Sequence, residues 1–434
     1  MRGRNTTLCD MKACHGIDLV PSLRGLRSTN QRANLISCLA MAWLGFFRAA
    51  LPAASQTWTL TSAPTNTWQS IASSADGRNL VAVVGGNFGG LIYHSTNSGA
   101  NWVPTSAPTN QWWGVASSAD GLNLVAAAYG VGIYQSTDAG KSWAQTGAPV
   151  ASWISVASSA DGVTLVAAES GYFPLFLGSI YTSIDGGATW LQASVPSNTW
   201  SSVACSADGT KLVAVAHADS LGGPGPTYSS TNSGMSWFPT TSPNQPWVSV
   251  ASAADGVHLV AAVNPGSIAP LWVSTNGGST WMFTSVRHEG WSSVASSADG
   301  THLVAVASSG IGGSLIYTST NAGGTWVQAL APVLGWQCVA SSADGTKLVA
   351  GASQGGIFVW QAVPSPRLSI ARAGPQLEIS WTVPSIDFTL QENYDLAATN
   401  WTDIATPPIL NLTNLCYQVV TPLSATNFNY RLSH

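Results

Sequence analysis

One phrase repeated seven times at intervals of 41 to 47 residues, four short strand-like runs in each repeat, and a spare strand at the N-terminal end predict an all-β protein. The architecture they predict is a seven-bladed β-propeller closed by an N-terminal strand, followed by a small C-terminal β-sandwich. Three segments follow from this: residues 1–55 as a signal peptide with a long leader, 56–362 as the propeller, and 363–434 as the sandwich module.

The leader is read first. Arg32 precedes an apolar stretch from Leu35 to Phe47, and small residues follow at Ala53, Ala54 and Ser55. This is the order of an export signal, with the mature chain starting near Gln56. The apolar stretch is too short to span a bilayer comfortably. Export places the protein outside the cytoplasm: extracellular, periplasmic or at the cell surface.

The repeats come next. The phrase Trp-x-Ser-Val-Ala-Ser-Ser-Ala-Asp-Gly, with small variations, begins at Trp68, Trp112, Trp153, Trp200, Trp247, Trp291 and Trp336. Within a unit, residues 291–297 read as a first strand of small residues, and the Asp299-Gly300 turn leads into an apolar second strand over 302–307. An apolar strand of that kind is buried on both faces. A third strand is predicted over 315–319 and a fourth over 326–329. Residues 58–64 match 102–108, so the chain opens on a fourth strand, while the last unit ends before one. The N-terminal strand is expected to complete that last blade and leave no free sheet edge.

A second phrase, Ser-Thr-Asn-x-Gly-x-x-Trp, ends at Trp102, Trp143, Trp190, Trp237, Trp281 and Trp326. It resembles the Asp-box of the BNR-repeat propellers, Ser-x-Asp-x-Gly-x-Thr-Trp. That sialidase-like superfamily includes sialidases, xyloglucan-cleaving glycoside hydrolases, sortilin-type receptors and photosystem assembly factors. Here the acid is kept at Asp138 and Asp185 and replaced at Asn97, Asn232, Asn276 and Asn321. Asn accepts the same turn hydrogen bonds as Asp but cannot serve as general acid or nucleophile, so these six positions read as structural. The acids of the Asp-Gly turns recur in every blade and read the same way, and the periodic tryptophans read as wedges between blades.

Composition excludes several functions. Only 8% of the residues are charged, and residues 56–434 carry a formal net charge of -9. Such a body lacks the clustered cations that displace counterions from nucleic acid, and no membrane span is predicted in the mature chain. The six cysteines form neither a disulfide framework nor a metal site, and no cofactor or metal is expected. The propeller holds only Arg78 and Arg287, too few for the three-arginine cluster that the sialidase resemblance implies for activity. A basic patch, which an assembly factor for a membrane complex would need, is also absent. Gly351 to Gly355 fits a nucleophile-elbow pattern around Ser353, but no helix follows to supply its context.

Paired carboxylates are the route left to catalysis, and Glu169, Asp219 and Glu289 are the candidates outside the repeated turns. They fall in loops that diverge between repeats, on the face opposite the Asp-Gly turns. The same loops offer Tyr172, Phe173, His217, Arg287 and His288 as ligand-binding candidates. The function read from this is an exported, non-enzymatic binding scaffold for a glycan or cell-surface protein. The alternative is a glycoside hydrolase. Past residue 363 the repeat stops, and alternating strands over 377–381, 388–391, 416–420 and 428–432 resemble a fibronectin-III-like module.

Overall fold

The computed structural model describes residues 57–85, 89–170, 177–264, 269–309, 314–362, 368–373, 376–382, 389–393, 401–404, 408–411, 416–422 and 429–433. The expected leader, the boundary near residue 363, and the candidates Tyr172 and Phe173 lie outside them.

Among the described residues the repeat region forms seven four-stranded antiparallel sheets, the sheets of a β-propeller. They are numbered here from the one that begins at Trp68. Sheet six shows the pattern: Gly290–Ser296, Leu303–Ser309, Ile316–Ser319 and Val327–Gln328, each paired with the next. Sheet seven draws on both ends of the region. Trp336–Ser341, Lys347–Ala352 and Ile357–Gln361 are joined by Thr59–Leu60, with Thr59 opposite Val359 and Leu60 opposite Phe358.

The composition of each strand follows from its place. Second strands are buried on both faces, and Leu80–Val84 is buried at every position. First strands converge on the axis, and small Ser, Ala and Gly residues recur along them. Just past their ends the backbone N–H of Ala75 donates to the carbonyl of Ala119, and the chain of bonds continues through Ala160, Ala207, Ala254, Ala298 and Ala343 back to Ala75. All seven bonds measure 2.7–2.9 Å. Further along the axis, the Val115, Val203, Val250 and Val294 N–H groups donate to Ser70, Ser155, Ser202 and Ser249 Oγ at 3.1–3.2 Å. These bonds satisfy inner-edge donors that would otherwise be left without protein partners.

The first-strand tryptophans join one sheet to the next. All seven are at most 1% exposed. The Trp68, Trp112, Trp200 and Trp291 indoles donate to the Gly355, Gly90, Gly178 and Ala269 carbonyls of the preceding sheet. Each also meets a third-strand aromatic edge-on, as Trp68 meets Tyr93 with centroids 5.4 Å apart. Fourth strands are only two residues long, shorter than the sequence pattern suggests. The box Trp preceding them folds back instead, as Trp190 and Trp237 do in donating to the Gly187 and Gly234 carbonyls.

Beyond the repeats, Ser369–Ala373, Gln376–Thr382, Cys416–Pro422 and Ile409–Asn411 form one sheet in that order. Thr402–Asp403, Thr389–Asn393 and Asn429–Ser433 form a second. Ile379, Trp381, Leu390 and Val419 from the two sheets share one apolar cluster. Sequence periodicity picks out four of these seven strands and misses 369–373, 402–403 and 409–411, which are short or lack clean alternation.

Candidate functional site

A cavity of about 730 Å³ lies where the seven first strands converge. Its wall uses a position that the repeat leaves open, the residue after each first-strand Trp: Gln69, Trp113, Ile154, Ser201, Val248, Ser292 and Gln337. Second-strand ends add Tyr129, Ser170, His217, Asn264 and Ser308. The lining holds no Asp, Glu, Lys or Arg. Trp113, at 40% exposure, stands against Tyr129 with centroids 5.9 Å apart. Gly114 beside it is packed so closely on Ser155 and Val156 that a Cβ there would lie 3.1–3.2 Å from their backbone. The inner strand at Trp113 is therefore pressed tightly onto its neighbour.

Of the ligand-binding candidates named from the sequence, His217 lines this cavity, whereas Arg287 and His288 do not. The three carboxylates also lie outside its lining. Half-buried Glu169 accepts from the Ser179 N–H at 3.1 Å, and burial raises its carboxyl above the ordinary range. Asp219 closes its own turn by accepting from the Leu221 and Gly223 N–H groups at 2.9 and 2.8 Å. Glu289 is fully buried, pairs with Arg287 Nε at 3.2 Å and accepts from the Tyr317 hydroxyl at 3.3 Å. His288 is exposed. Among the described candidates, Arg287 and Glu289 are in direct contact, as an ion pair. Ser353 lies in the turn between two strands of sheet seven, its N–H donating to Gly335.

Sequence reasoning overlooked Gln69, Trp113 and Tyr129. The available signal was an alignment of the repeat with itself: a position that differs in every neighbouring copy, flanked by positions that hardly vary, is not set by the scaffold.

The six boxes share one geometry regardless of charge. In each, Oδ1 accepts from the backbone N–H four residues on at 2.8–2.9 Å, and a Ser hydroxyl two residues back donates to it. Hydrogen bonds from the side chains and backbone of Ser142 and Thr189 hold Asp138 and Asp185 down to about 2. The Asp-Gly turns use the same device: the Ser206 and Ser297 hydroxyls, then backbone N–H groups, hold Asp208 and Asp299 at about 2. Carboxylates this acidic are poor proton donors at neutral pH. Among the described residues no cluster of three or more His, Cys, Asp or Glu could hold a metal, and no helix is long and apolar enough to cross a membrane.

The cavity can thus bind through neutral hydrogen bonds and aromatic stacking. No family model matches the chain, and no curated protein matches it. Solved structures do. YCF48 bound to D1 peptide aligns with a TM-score of 0.52 and 16% identity, over 72% of this chain and 100% of that one. YCF48 from Cyanidioschyzon merolae aligns at 0.51 and 16%, over 71% and 98%. The Cps50 (Swd1) β-propeller domain of Myceliophteria thermophila aligns at 0.52 and 12%, over 69% and 98%. The chain has the β-propeller fold.

Proposed function

We propose that the protein is an exported, non-enzymatic binding module: a seven-bladed BNR-type propeller closed by its N-terminal strand, with a C-terminal β-sandwich, that holds a neutral glycan in its central cavity. The observation that carries this is the cavity lining, which combines an exposed Trp with Gln and Ser side chains and has no formal charge from Asp, Glu, Lys or Arg. An ionic ligand would lose hydration there and find no Asp, Glu, Lys or Arg to pair with, His217 being the one ionisable imidazole in the lining. A sugar offers what the wall can use, an apolar C–H face for Trp113 and hydroxyls for Gln69 and Gln337. Peptide addition to a strand edge is disfavoured because serine hydroxyls already occupy four inner-strand N–H groups. A propeller of similar fold described with a bound peptide supports the scaffold reading in general, while the ligand class rests on this chain's own residues.

Export rests on Arg32, the apolar stretch that follows it, and the small residues at 53–55. The test of the binding reading is calorimetric titration of the expressed protein with neutral and acidic oligosaccharides. Neutral sugars are expected to bind, and Trp113→Ala is expected to weaken them by at least tenfold with the unfolding midpoint unchanged. Release of new reducing ends, abolished by Glu169→Gln or Glu289→Gln, would establish the hydrolase alternative instead.

A further inference from the structure

Every first strand carries an irregularity at the same place. In sheet one Trp68 pairs with Val84 and Ser70 with Val83, so Gln69 between them has no cross-strand partner of its own. The same shift follows the first-strand Trp in the other six sheets. A bulge frees its residue from the ladder and re-aims the side chain. The seven freed residues are the variable ones of the cavity wall.

That wall is even in position but uneven in hydrogen-bonding capacity. In sheets three to five most polar groups are committed to the scaffold. Ser155 and Ser249 Oγ accept from the Val203 and Val294 N–H groups, Ser201 donates to the Val215 carbonyl at 3.0 Å, and the Asn264 amide donates to the Trp291 carbonyl at 3.1 Å. The bulge residues Ile154 and Val248 add side chains that neither donate nor accept. His217, at the end of a second strand, is the open polar group on this side. Sheet six offers short serines, of which Ser292 already donates to the Val306 and Trp336 carbonyls.

Open groups concentrate in sheets seven, one and two. There the Gln337 and Gln69 amides, the Trp113 indole N–H and the Tyr129 hydroxyl have no hydrogen bond among the described residues. Sheets seven, one and two are consecutive in the ring, because the Ala343 N–H donates to the Ala75 carbonyl and the Ala75 N–H to the Ala119 carbonyl. Gln337, Gln69 and Trp113 thus stand on three neighbouring inner strands. An amide both donates and accepts, as a sugar hydroxyl does, so two neighbouring amides match two neighbouring hydroxyls.

We infer that Gln69 and Gln337 are the specificity-determining residues of the cavity and read two adjacent free hydroxyls of one neutral pyranose ring, whose C–H face lies on Trp113. The inference rests on the glycan reading above and adds which side of the wall recognises the sugar and what it recognises. A sugar etherified at those hydroxyls leaves an amide oxygen without a donor, which a site built for hydroxyls rejects.

Methyl glycosides of glucose, galactose, mannose and xylose, each free and as its 2,3- and 3,4-di-O-methyl ethers, are titrated calorimetrically against the protein. At least one free glycoside is expected to bind, and one or both of its ethers to bind weaker by about tenfold or more. Gln69→Met and Gln337→Met keep the side-chain length and lose the amide. Each should weaken the free glycoside by about fivefold or more, leave the unfolding midpoint unchanged and shrink the ether penalty, since the amide that discriminates is gone. Ile154→Ala and Ser201→Ala, on the committed side, should weaken it less than either Gln variant. Equal binding of ethers and free glycosides, an ether penalty unchanged in both Gln variants, or equal losses on the two sides overturns the inference and leaves the glycan reading standing. If the glycosides give no heat while neutral oligosaccharides do, recognition of one ring's hydroxyl pair is overturned. If no neutral sugar binds, the glycan reading itself fails and the inference falls with it.

Discussion

Removing the Arg287 guanidinium strands a buried charge. The Glu289 side chain is 0% exposed, its Oε1 meets Arg287 Nε at 3.2 Å, and its Oε2 lacks a hydrogen-bond partner. After Arg287→Ala the carboxylate keeps only the Tyr317 hydroxyl at 3.3 Å. Breaking a fully buried pair costs about 3–5 kcal/mol. Arg287 is 49% exposed, so water already screens part of the pair and enters the vacated space; the expected loss is about 2 kcal/mol. Glu289→Gln should behave differently. The equivalent bridge positions carry amides at Asn66, Asn110, Asn198 and Gln245, and a Gln still accepts from Tyr317. Its expected change is within about 0.5 kcal/mol. The double variant should match Glu289→Gln, giving a coupling of about 2 kcal/mol. Urea unfolding followed by tryptophan fluorescence, with equal slopes across variants, reads these values. If Arg287→Ala is silent, or Glu289→Gln is as damaging as Arg287→Ala, the reasoning is refuted.

Trp68→Ala removes a fully buried side chain and its bond to the Gly355 carbonyl, and should cost about 3–5 kcal/mol in the urea assay. A loss below about 1 kcal/mol would mean that this wedge is not a main support of the ring. Asp185→Asn should leave both melting and ligand titration unchanged, because Asn276 accepts from Thr280 as Asp185 does from Thr189, whereas Asp185→Ala should lower the melting midpoint without changing ligand affinity. Asp138, Asp185, Asp208 and Asp299 are held at about 2, below their unfolded values near 4, so their stabilisation is complete above about pH 4 and lost as pH falls toward 2. The urea midpoint should stay flat from pH 5 to 8 with respect to these groups and drop between about pH 4 and 2; an unchanged midpoint at pH 2.5 would contradict the hydrogen-bond geometry. Burial pushes the Cys205 and Cys338 thiols up to about 12, so peptide mapping should find both unlabelled by maleimide until denaturant is added.

Much of the fold was legible in the sequence because repetition exposes physical constraint. Seven Trp-Ser-Val-Ala phrases record the same buried wedge and the same crowded axis, and a Gly after each turn Asp records a backbone at positive φ, as at Gly300. Mixed Asp and Asn in the boxes already pointed to shared turn bonds. The tertiary structure alone decided what the non-repeated residues do. Glu169, Asp219 and Glu289 stand out in the sequence as acids in divergent loops, yet Asp219 bonds its own turn and Glu289 is neutralised by Arg287 two residues earlier. Trp113 is hidden in the sequence by the periodic Trp112 beside it. A register shift between Trp112 and Gly114 leaves Trp113 as the extra, unpaired residue of a bulge in the cavity wall, where seven strands remote in sequence, each shifted at the same place, bring their variable residues together. Periodicity specifies a blade because its contacts are local and repeated; the site is made by convergence across the ring, which no single repeat encodes.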